Sequence, residues 1–145
     1  MSKLGYYFFL LSLLSSICVV TPVWGENLTP QEVVLKYYQA LQNRDFAQAY
    51  RYVSQGMRAG KDQEKWAQEI QALFERGKVA IKEISVSPGA VSDQEARVNS
   101  TITSKDLVNV NGLIEYNRDY LVLEDGSWKL ERTELRDSKI LDPNY

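Results

Sequence analysis

The sequence predicts an α+β domain in which three N-terminal helices precede a mostly antiparallel sheet of four strands. Apolar residues recur at helical spacing as far as Gly77, and beyond it they alternate with polar residues, as in half-buried strands. Two dipeptides typical of tight hairpin turns, Asn111-Gly112 and Asp125-Gly126, separate alternating segments. The 145 residues are enough for one domain of ordinary size.

The first 25 residues are typical of an export signal. Lys3 is followed by an uncharged apolar run from Leu4 to about Val20, and then by the small-residue pattern Val23-Trp24-Gly25. This pattern predicts a signal peptide over residues 1–25 and a periplasmic or secreted domain over residues 26–145. The alternative is an uncleaved N-terminal membrane anchor, because about 20 apolar residues can span a bilayer.

Composition excludes several kinds of site. The formal net charge of -2 argues against a nucleic-acid binder, which usually carries a basic patch. The chain has no histidine, and its one cysteine, Cys18, lies in the predicted signal peptide. Ser-His-Asp triads, Cys-His nucleophiles and His-rich zinc sites are therefore excluded. We expect no metal and no cofactor.

The first predicted helix begins with a capping box. Thr29 is the N-cap, Pro30 suits the first helical position, and Glu32 lies three residues after the cap. The helix should end near Asn43. Its apolar face is formed by residues at helical spacing, namely Val34, Tyr37, Tyr38 and Leu41.

Two further helices are predicted before Gly77. Asp45 can cap the second, with Gln48 as its partner, and Asp62 can cap the third, which Gly77 ends. Between them, residues 54–62 carry two glycines and interrupt the helical pattern. The buried stripes of the two helices are Phe46, Ala49, Tyr50 and Val53, and then Trp66, Ile70, Leu73 and Phe74.

The four strands are predicted at residues 78–87, 93–110, 113–124 and 127–135, and the two turns set their register. The second turn places Leu123 opposite Trp128, Leu121 opposite Leu130, and Asp119 opposite Arg132. The first places Val110 opposite Leu113, Val108 opposite Glu115, and Ile102 opposite Leu121. Opposed residues share a face, so one core face collects Val98, Ile102, Val108, Val110, Leu113, Leu121, Leu123, Trp128 and Leu130.

Residues 29 to 137 resemble the nuclear transport factor 2-like superfamily, a cystatin-like cone fold. The resemblance rests on "TPQEVVLKYYQALQNRDFAQAYRYVS", on a helix with a central Trp66, and on the closing "LEDGSWKLERTEL". It implies that the helices pack on the concave face of a curved sheet and that one end of the cone is an open pocket. The superfamily includes isomerases, dehydratases, transport receptors and domains that only bind, so the resemblance indicates a fold and not a function.

The resemblance suggests which residues surround the pocket. Tyr37, Tyr50 and Trp66 would lie on the helices that roof the cone, either as core or as pocket lining. On the sheet, the core face carries four further candidates for ligand binding, which are Glu115, Asp119, Trp128 and Arg132. Asp119 and Arg132 form either a cross-strand ion pair or a polar pocket floor, in which the arginine binds an anionic or carbonyl group. No catalytic residue is assigned.

The opposite face of the sheet carries a second candidate surface. Ile114, Tyr116, Tyr120 and Val122 alternate along the third strand and form an apolar and aromatic patch. We expect this face to mediate a homodimer.

Three functions remain open on the sequence. The first is an exported, non-enzymatic domain that binds a small ligand or a partner protein, favoured by the absence of histidine. The second is an isomerase or dehydratase that uses a carboxylate base and tyrosine donors. The third is an assembly protein anchored in the membrane through its N-terminal segment.

Overall fold

The computed structural model describes residues 27–142, so the predicted signal peptide lies outside the described residues. Helices α1 (Pro30–Gln42), α2 (Phe46–Tyr50), α3 (Gln55–Arg58) and α4 (Gln63–Gly77) precede the sheet. The strands are β1 (Ala80–Ser87), β2 (Glu95–Lys105), β3 (Leu113–Glu124) and β4 (Ser127–Ile140), and they pair antiparallel in the order β1-β2-β3-β4. The predicted α+β class is confirmed.

Residues 27–142 contain four helices, where three were expected. The additional helix, α3, lies in the segment predicted to interrupt the helices. Ser54 caps it, because its hydroxyl accepts a hydrogen bond from the backbone N–H of Met57. The four-residue helix then ends at Ala59, which adopts a left-handed conformation with φ of 51°. The capping serine therefore starts a single helical turn that contains Gly56 and ends before Gly60.

The three predicted helix starts are confirmed. Thr29 and Glu32 form both halves of the capping box of α1, and Asp45 and Asp62 accept hydrogen bonds from the third residue after each. Along α4, the buried side repeats every four residues through Trp66, Ile70 and Phe74. Leu73 lies beside this stripe and is 57% exposed, so its assignment to the apolar side was wrong.

The connection between β2 and β3 is longer than the predicted two-residue turn at Asn111-Gly112. It spans residues 106–112, and the carboxylate of Asp106 accepts hydrogen bonds from the backbone N–H groups of Val108 and Asn109. Ile102 therefore lies opposite Glu115 and not opposite Leu121. This displacement is an even number of residues, so the predicted faces survive it.

The set of core residues differs from the prediction where a strand was predicted too long. Val98 and Ile102, on the predicted core face, are buried. Val108 and Val110 lie in the loop between β2 and β3, where they are 86% and 63% exposed, so their predicted core positions were wrong. The Asp106 turn takes them out of the strand before they can pair.

The turn at Asp125-Gly126 is confirmed, with positive φ at both residues. It pairs Leu123 with Trp128 and Leu121 with Leu130, as predicted. One residue later the register changes at a bulge, because Glu131 has no partner on β3. Asp119 therefore lies opposite Thr133, and Arg132 lies opposite Tyr120 on the other face. The predicted cross-strand pair of Asp119 with Arg132 was wrong.

The core lies between α1 and one face of the sheet, which we call the inner face. Val34, Leu121 and Leu130 are among its fully buried side chains, and Trp128 packs against it while partly buried. Next to β4, residues 52–54 run alongside Leu130, whose N–H donates to the carbonyl oxygen of Tyr52 at 2.8 Å. This contact ties the helical layer to the edge of the sheet.

Candidate ligand pocket

A pocket of about 340 Å³ opens between the helices and the inner face. Helix α1 borders it through Tyr38 and Leu41, and the C-terminal half of α4 borders it through Phe74. The remaining lining comes from the segment after α4 and from the four strands, namely Val79, Ile81, Ile102, Ser104, Glu115, Asn117, Thr133 and Leu135. The helical roof and the sheet thus border an open pocket of the size of a small organic ligand.

The lining is divided by chemistry. The helices, the segment after α4, β1, and single positions on β2 and β4 contribute apolar side chains. Four polar side chains come from the inner face, namely Ser104 near the end of β2, Glu115 and Asn117 in the first half of β3, and Thr133 on β4. An apolar wall with a few polar groups is the usual composition of a small-molecule site.

Glu115 is the acidic residue of the pocket lining. It is half-buried on β3, opposite Ile102 on one side and Ser138 on the other. Burial raises the pKa of Glu115, and the nearby charge of Asp106 raises it further. Within residues 27–142, no hydrogen-bond donor contacts its carboxylate, so this group can bind a donor on a ligand.

Behind the pocket lies the fully buried Asp119. Its carboxylate accepts three hydrogen bonds from hydroxyl groups, from Tyr38 at 3.2 Å, from Ser100 at 2.6 Å and from Thr133 at 2.7 Å. Burial raises the pKa of Asp119, while these three hydrogen bonds lower it and offset part of the effect. Among the described residues, no arginine or lysine forms an ion pair with this carboxylate.

Two neighbouring phenols complete the buried cluster. The rings of Tyr37 and Tyr38 meet edge to face with their centroids 5.2 Å apart. Burial raises the pKa of both, and the charge of Asp119 raises both further. Both phenols therefore stay protonated at neutral pH, and Tyr38 acts as a hydrogen-bond donor to Asp119.

The structure does not bring all seven predicted ligand-binding residues together. Glu115 lines the pocket, and Asp119 lies behind it, held by two of its lining residues. Tyr37 is buried in the core next to Tyr38. The other four, Tyr50, Trp66, Trp128 and Arg132, do not line it.

Three of those four contribute to other parts of the fold. Tyr50 packs against Trp66 with ring centroids 5.8 Å apart, and its hydroxyl donates to the carbonyl oxygen of Lys61. Trp128 lies at the start of β4, next to the Asp125-Gly126 turn. These contacts place Tyr50, Trp66 and Trp128 between elements of the fold, outside this pocket, and their part in ligand binding stays a prediction.

Arg132 lies on the outer face, because the bulge at Glu131 turns it away from the helices. Its guanidinium carbon is 3.4 Å from the centroid of the Tyr120 ring. The hydroxyl of that tyrosine donates to Glu134 at 2.8 Å. A larger cleft of about 510 Å³ borders this group, and it contains both acidic and basic side chains, including Glu95, Arg97, Glu131 and Arg132.

The four predicted interface residues lie on alternate positions of β3, facing outward as expected. Tyr116 is 40% exposed, whereas Ile114, Tyr120 and Val122 are partly buried. Arg132 stacks on the ring of Tyr120 and covers part of it.

The sequence did not single out Ser100 and Thr133 as partners of Asp119. Thr133 was expected on the outer face, because an unbroken strand alternates strictly. A signal for the bulge was present in the spacing of Leu130 and Leu135. Residues five apart cannot both face inward in a regular strand, so two leucines on the inner face at that spacing imply an extra residue between them.

Comparison with known proteins adds a fold. No protein-family model and no curated protein matches the chain. Among solved structures, a SEC-C motif-containing protein from Rhodopseudomonas palustris has a TM-score of 0.62 and 16% identity over 75% of this chain and 80% of that one. A scytalone dehydratase-like protein from Novosphingobium aromaticivorans has a TM-score of 0.50 and 16% identity over 76% and 83%.

A further match covers only part of its relative. Bd1075 of Bdellovibrio bacteriovorus is 14% identical over 70% of this chain, with a TM-score of 0.49, and the chain spans 37% of its length. At these identities the likeness shows the fold alone. The likeness to the first two structures, together with the four-stranded sheet and its helical roof, is consistent with the nuclear transport factor 2-like cone fold. In the described part of the chain, no helix is both long and apolar enough to cross a membrane.

Proposed function

We propose that this chain is an exported, non-enzymatic domain that binds a small ligand in the pocket between α1, α4 and the inner face. The observation that carries the proposal is the pocket itself, a cavity of about 340 Å³ with an apolar wall and four polar side chains on one side. Its acidic residue, Glu115, is half-buried and has no hydrogen-bond donor from the described chain.

The charge of the pocket limits the class of ligand. Glu115 lines it and Asp119 lies behind it, and no cationic side chain is part of the lining. A carboxylate or phosphate ligand would be repelled and would have no counter-charge. The favoured ligand is therefore a small, mainly apolar molecule that carries an amine or a hydroxyl group, which donates to Glu115.

A matched pair of variants tests the site. Leu135 lines the pocket and is 55% exposed, and Leu107 is outside it and 52% exposed. Leu135→Trp should fill the pocket and abolish the NMR shifts caused by small aromatic amines, whereas Leu107→Trp should leave them unchanged. Equal loss of binding in both variants, or binding of aromatic carboxylates as tight as that of amines, would contradict the proposal.

One observation favours a second candidate function, a proton-transfer enzyme. The raised pKa of Glu115 and its place in a largely apolar pocket suit a general base. Against it, the hydroxyl of Tyr38 is engaged by Asp119 and is not offered to a substrate. Deuterium exchange from D₂O into small carbon acids separates the two functions. Deuterium exchange that is present in the wild type and lost in Glu115→Gln would establish the enzyme. A protein that binds amines and shows no deuterium exchange supports the binding domain.

Export and self-association rest on sequence patterns. The apolar run within residues 1–25 supports export, and mass spectrometry of the exported protein should find Glu26 at its N-terminus. A retained segment would support the anchored alternative.

The homodimer through Ile114, Tyr116, Tyr120 and Val122 stays a prediction. Sedimentation that shows only monomer at high micromolar concentration would contradict it.

A further inference from the structure

A cleft of about 460 Å³ near the start of β4 gathers three cationic side chains. Arg51 follows α2, Arg58 ends α3, and Lys129 lies on β4. Tyr50 and Gln63 complete its lining. None of these residues lines the pocket that contains Glu115, so the two sites are separate.

The three cations lack counter-charges. Among the described residues, none of them forms an ion pair with a carboxylate. The carboxylate of Glu124 raises the pKa of Lys129 through its charge, but it forms no ion pair with the lysine and already accepts hydrogen bonds from the backbone N–H of Gln55. This concentration of positive charge is unusual in a chain whose formal net charge is -2.

The guanidinium group of Arg58 is held in place by Tyr50. Its guanidinium carbon lies 4.2 Å from the centroid of the Tyr50 ring, and its Nη2 donates to the Tyr50 carbonyl oxygen at 3.3 Å. Its Nε is buried and has no hydrogen-bond partner in the described part of the chain. A buried donor without a partner costs free energy of folding, and because this Nε is closed off from solvent, the cleft can use only the outer part of the guanidinium.

Lys129 and Arg51 are positioned by contacts with neutral groups. The Nζ of Lys129 donates to the carbonyl oxygen of Arg51 at 2.6 Å, and Arg51 donates to the side-chain oxygen of Gln48 at 3.3 Å. Burial lowers the pKa of Lys129, and the positive charge of Arg58 lowers it further. An anion bound in the cleft would offset the repulsion between Lys129 and Arg58 and so raise the pKa of Lys129.

We propose that this cleft binds a small oxyanion, the phosphate or carboxylate group of a small molecule. Arginine and lysine side chains around one concave site provide the donors that such groups require. Gln63, the first residue of α4, also lines the cleft, but the carboxylate of the N-cap residue Asp62 already offsets the positive end of this helix, so the three side-chain cations supply the field. The acidic net charge of the chain disfavours a polyanion such as nucleic acid.

The test is an NMR titration of the purified protein with sodium phosphate at constant ionic strength, with sulfate and acetate as parallel arms. We expect saturable amide shifts at the five lining residues with phosphate and sulfate if the site takes phosphate groups, and with acetate if it takes carboxylates. Either pattern supports an oxyanion site and identifies its class. No saturable shift at tens of millimolar in any arm would overturn the proposal.

Single-charge variants provide the control. Lys129→Met keeps the aliphatic stem and removes the charge, and Arg51→Met does so at an exposed position where folding is not at stake. Each should weaken phosphate binding by about five- to tenfold. Lys82→Met removes an exposed charge on β1, the opposite edge of the sheet, and should change nothing. Equal weakening in all three variants would show general electrostatics and overturn the site.

Discussion

Replacing Asp119 tests the buried cluster that supports the pocket. Asp119→Ala removes the acceptor of three buried hydroxyl groups, from Tyr38, Ser100 and Thr133. Two of these can rotate towards each other, so about two donors lose their partner, at roughly 1–3 kcal/mol each. Removing a buried charge offsets part of this, and we expect a net loss of about 3 kcal/mol in the free energy of unfolding.

Asp119→Asn is the matched control. The amide has nearly the same volume, its oxygen still accepts from hydroxyl groups, and its nitrogen can donate to a hydroxyl oxygen. We expect it to cost about 1 kcal/mol at neutral pH, well below the alanine variant. Urea denaturation followed by the fluorescence of Trp66 and Trp128 measures both variants, provided that the m-values agree.

The two proteins should also differ in their pH dependence. Because the pKa of Asp119 is raised in the folded state, the folded protein holds this proton more tightly than the unfolded chain. The stability of the wild type should therefore fall, relative to Asp119→Asn, as pH rises from about 4, the ordinary aspartate pKa, to the raised value, and the difference should then stay constant. Glu115 titrates in both proteins and cancels. A difference that is flat over this range, or an alanine variant that loses less than about 1 kcal/mol, would refute this account of the cluster.

Three further substitutions probe the rest of the fold. Leu130→Ala, at a fully buried core position, should cost about 3–5 kcal/mol by urea denaturation, whereas Leu107→Ala, at a 52% exposed one, should stay within about 0.5 kcal/mol. Arg132→Ala should cost only about 0.5–1 kcal/mol and leave the pH dependence due to Asp119 unchanged, because its guanidinium stacks on Tyr120 on the outer face. Arg132 also lowers the pKa of Glu134, so the profile to compare is the stability difference between the wild type and Asp119→Asn, in which Glu134 cancels. A change in that difference on replacing Arg132 would place the arginine back beside Asp119. Gly89→Ala would bring a Cβ to 2.0 Å from the carbonyl oxygen of Arg97. It should lower the melting temperature more than Gly60→Ala, whose Cβ meets nothing within 4 Å and which carries only the backbone strain of a φ of 73°.

The helices could be predicted closely because their signals are local. A capping residue and its partner lie within four residues of each other, and the three predicted caps form in the structure. The Asp125-Gly126 turn is local in the same sense. Both kinds of signal depend on backbone geometry that a short stretch of sequence determines by itself.

The sheet register was harder to predict, because it depends on irregularities without a single-residue signature. Asp106 forms a side-chain turn that ends β2 early, and this competes with the hairpin expected at Asn111-Gly112. The bulges of β4 leave Glu131 and Arg136 unpaired, and neither position carries a glycine or another turn residue that would mark it in the sequence. The spacing of Leu130, Leu135 and Ile140, five residues each, matches these two bulges, and each interval contains one unpaired residue.

The bulge at Glu131 also separates charges in the fold. Without it, β4 would alternate regularly, Arg132 would lie opposite Asp119, and Thr133 would face outward, as an unbroken strand requires. The inner face would then carry an ion pair next to the pocket. With the bulge, the arginine stacks on Tyr120 outside, and a threonine hydroxyl takes its place beside the buried carboxylate. The inner pocket therefore keeps its acidic character, while the cations of Arg51, Arg58 and Lys129 gather in a separate cleft. Two sites of opposite charge on one small domain favour ligands of opposite sign, which is why the amine and oxyanion titrations should respond to different variants.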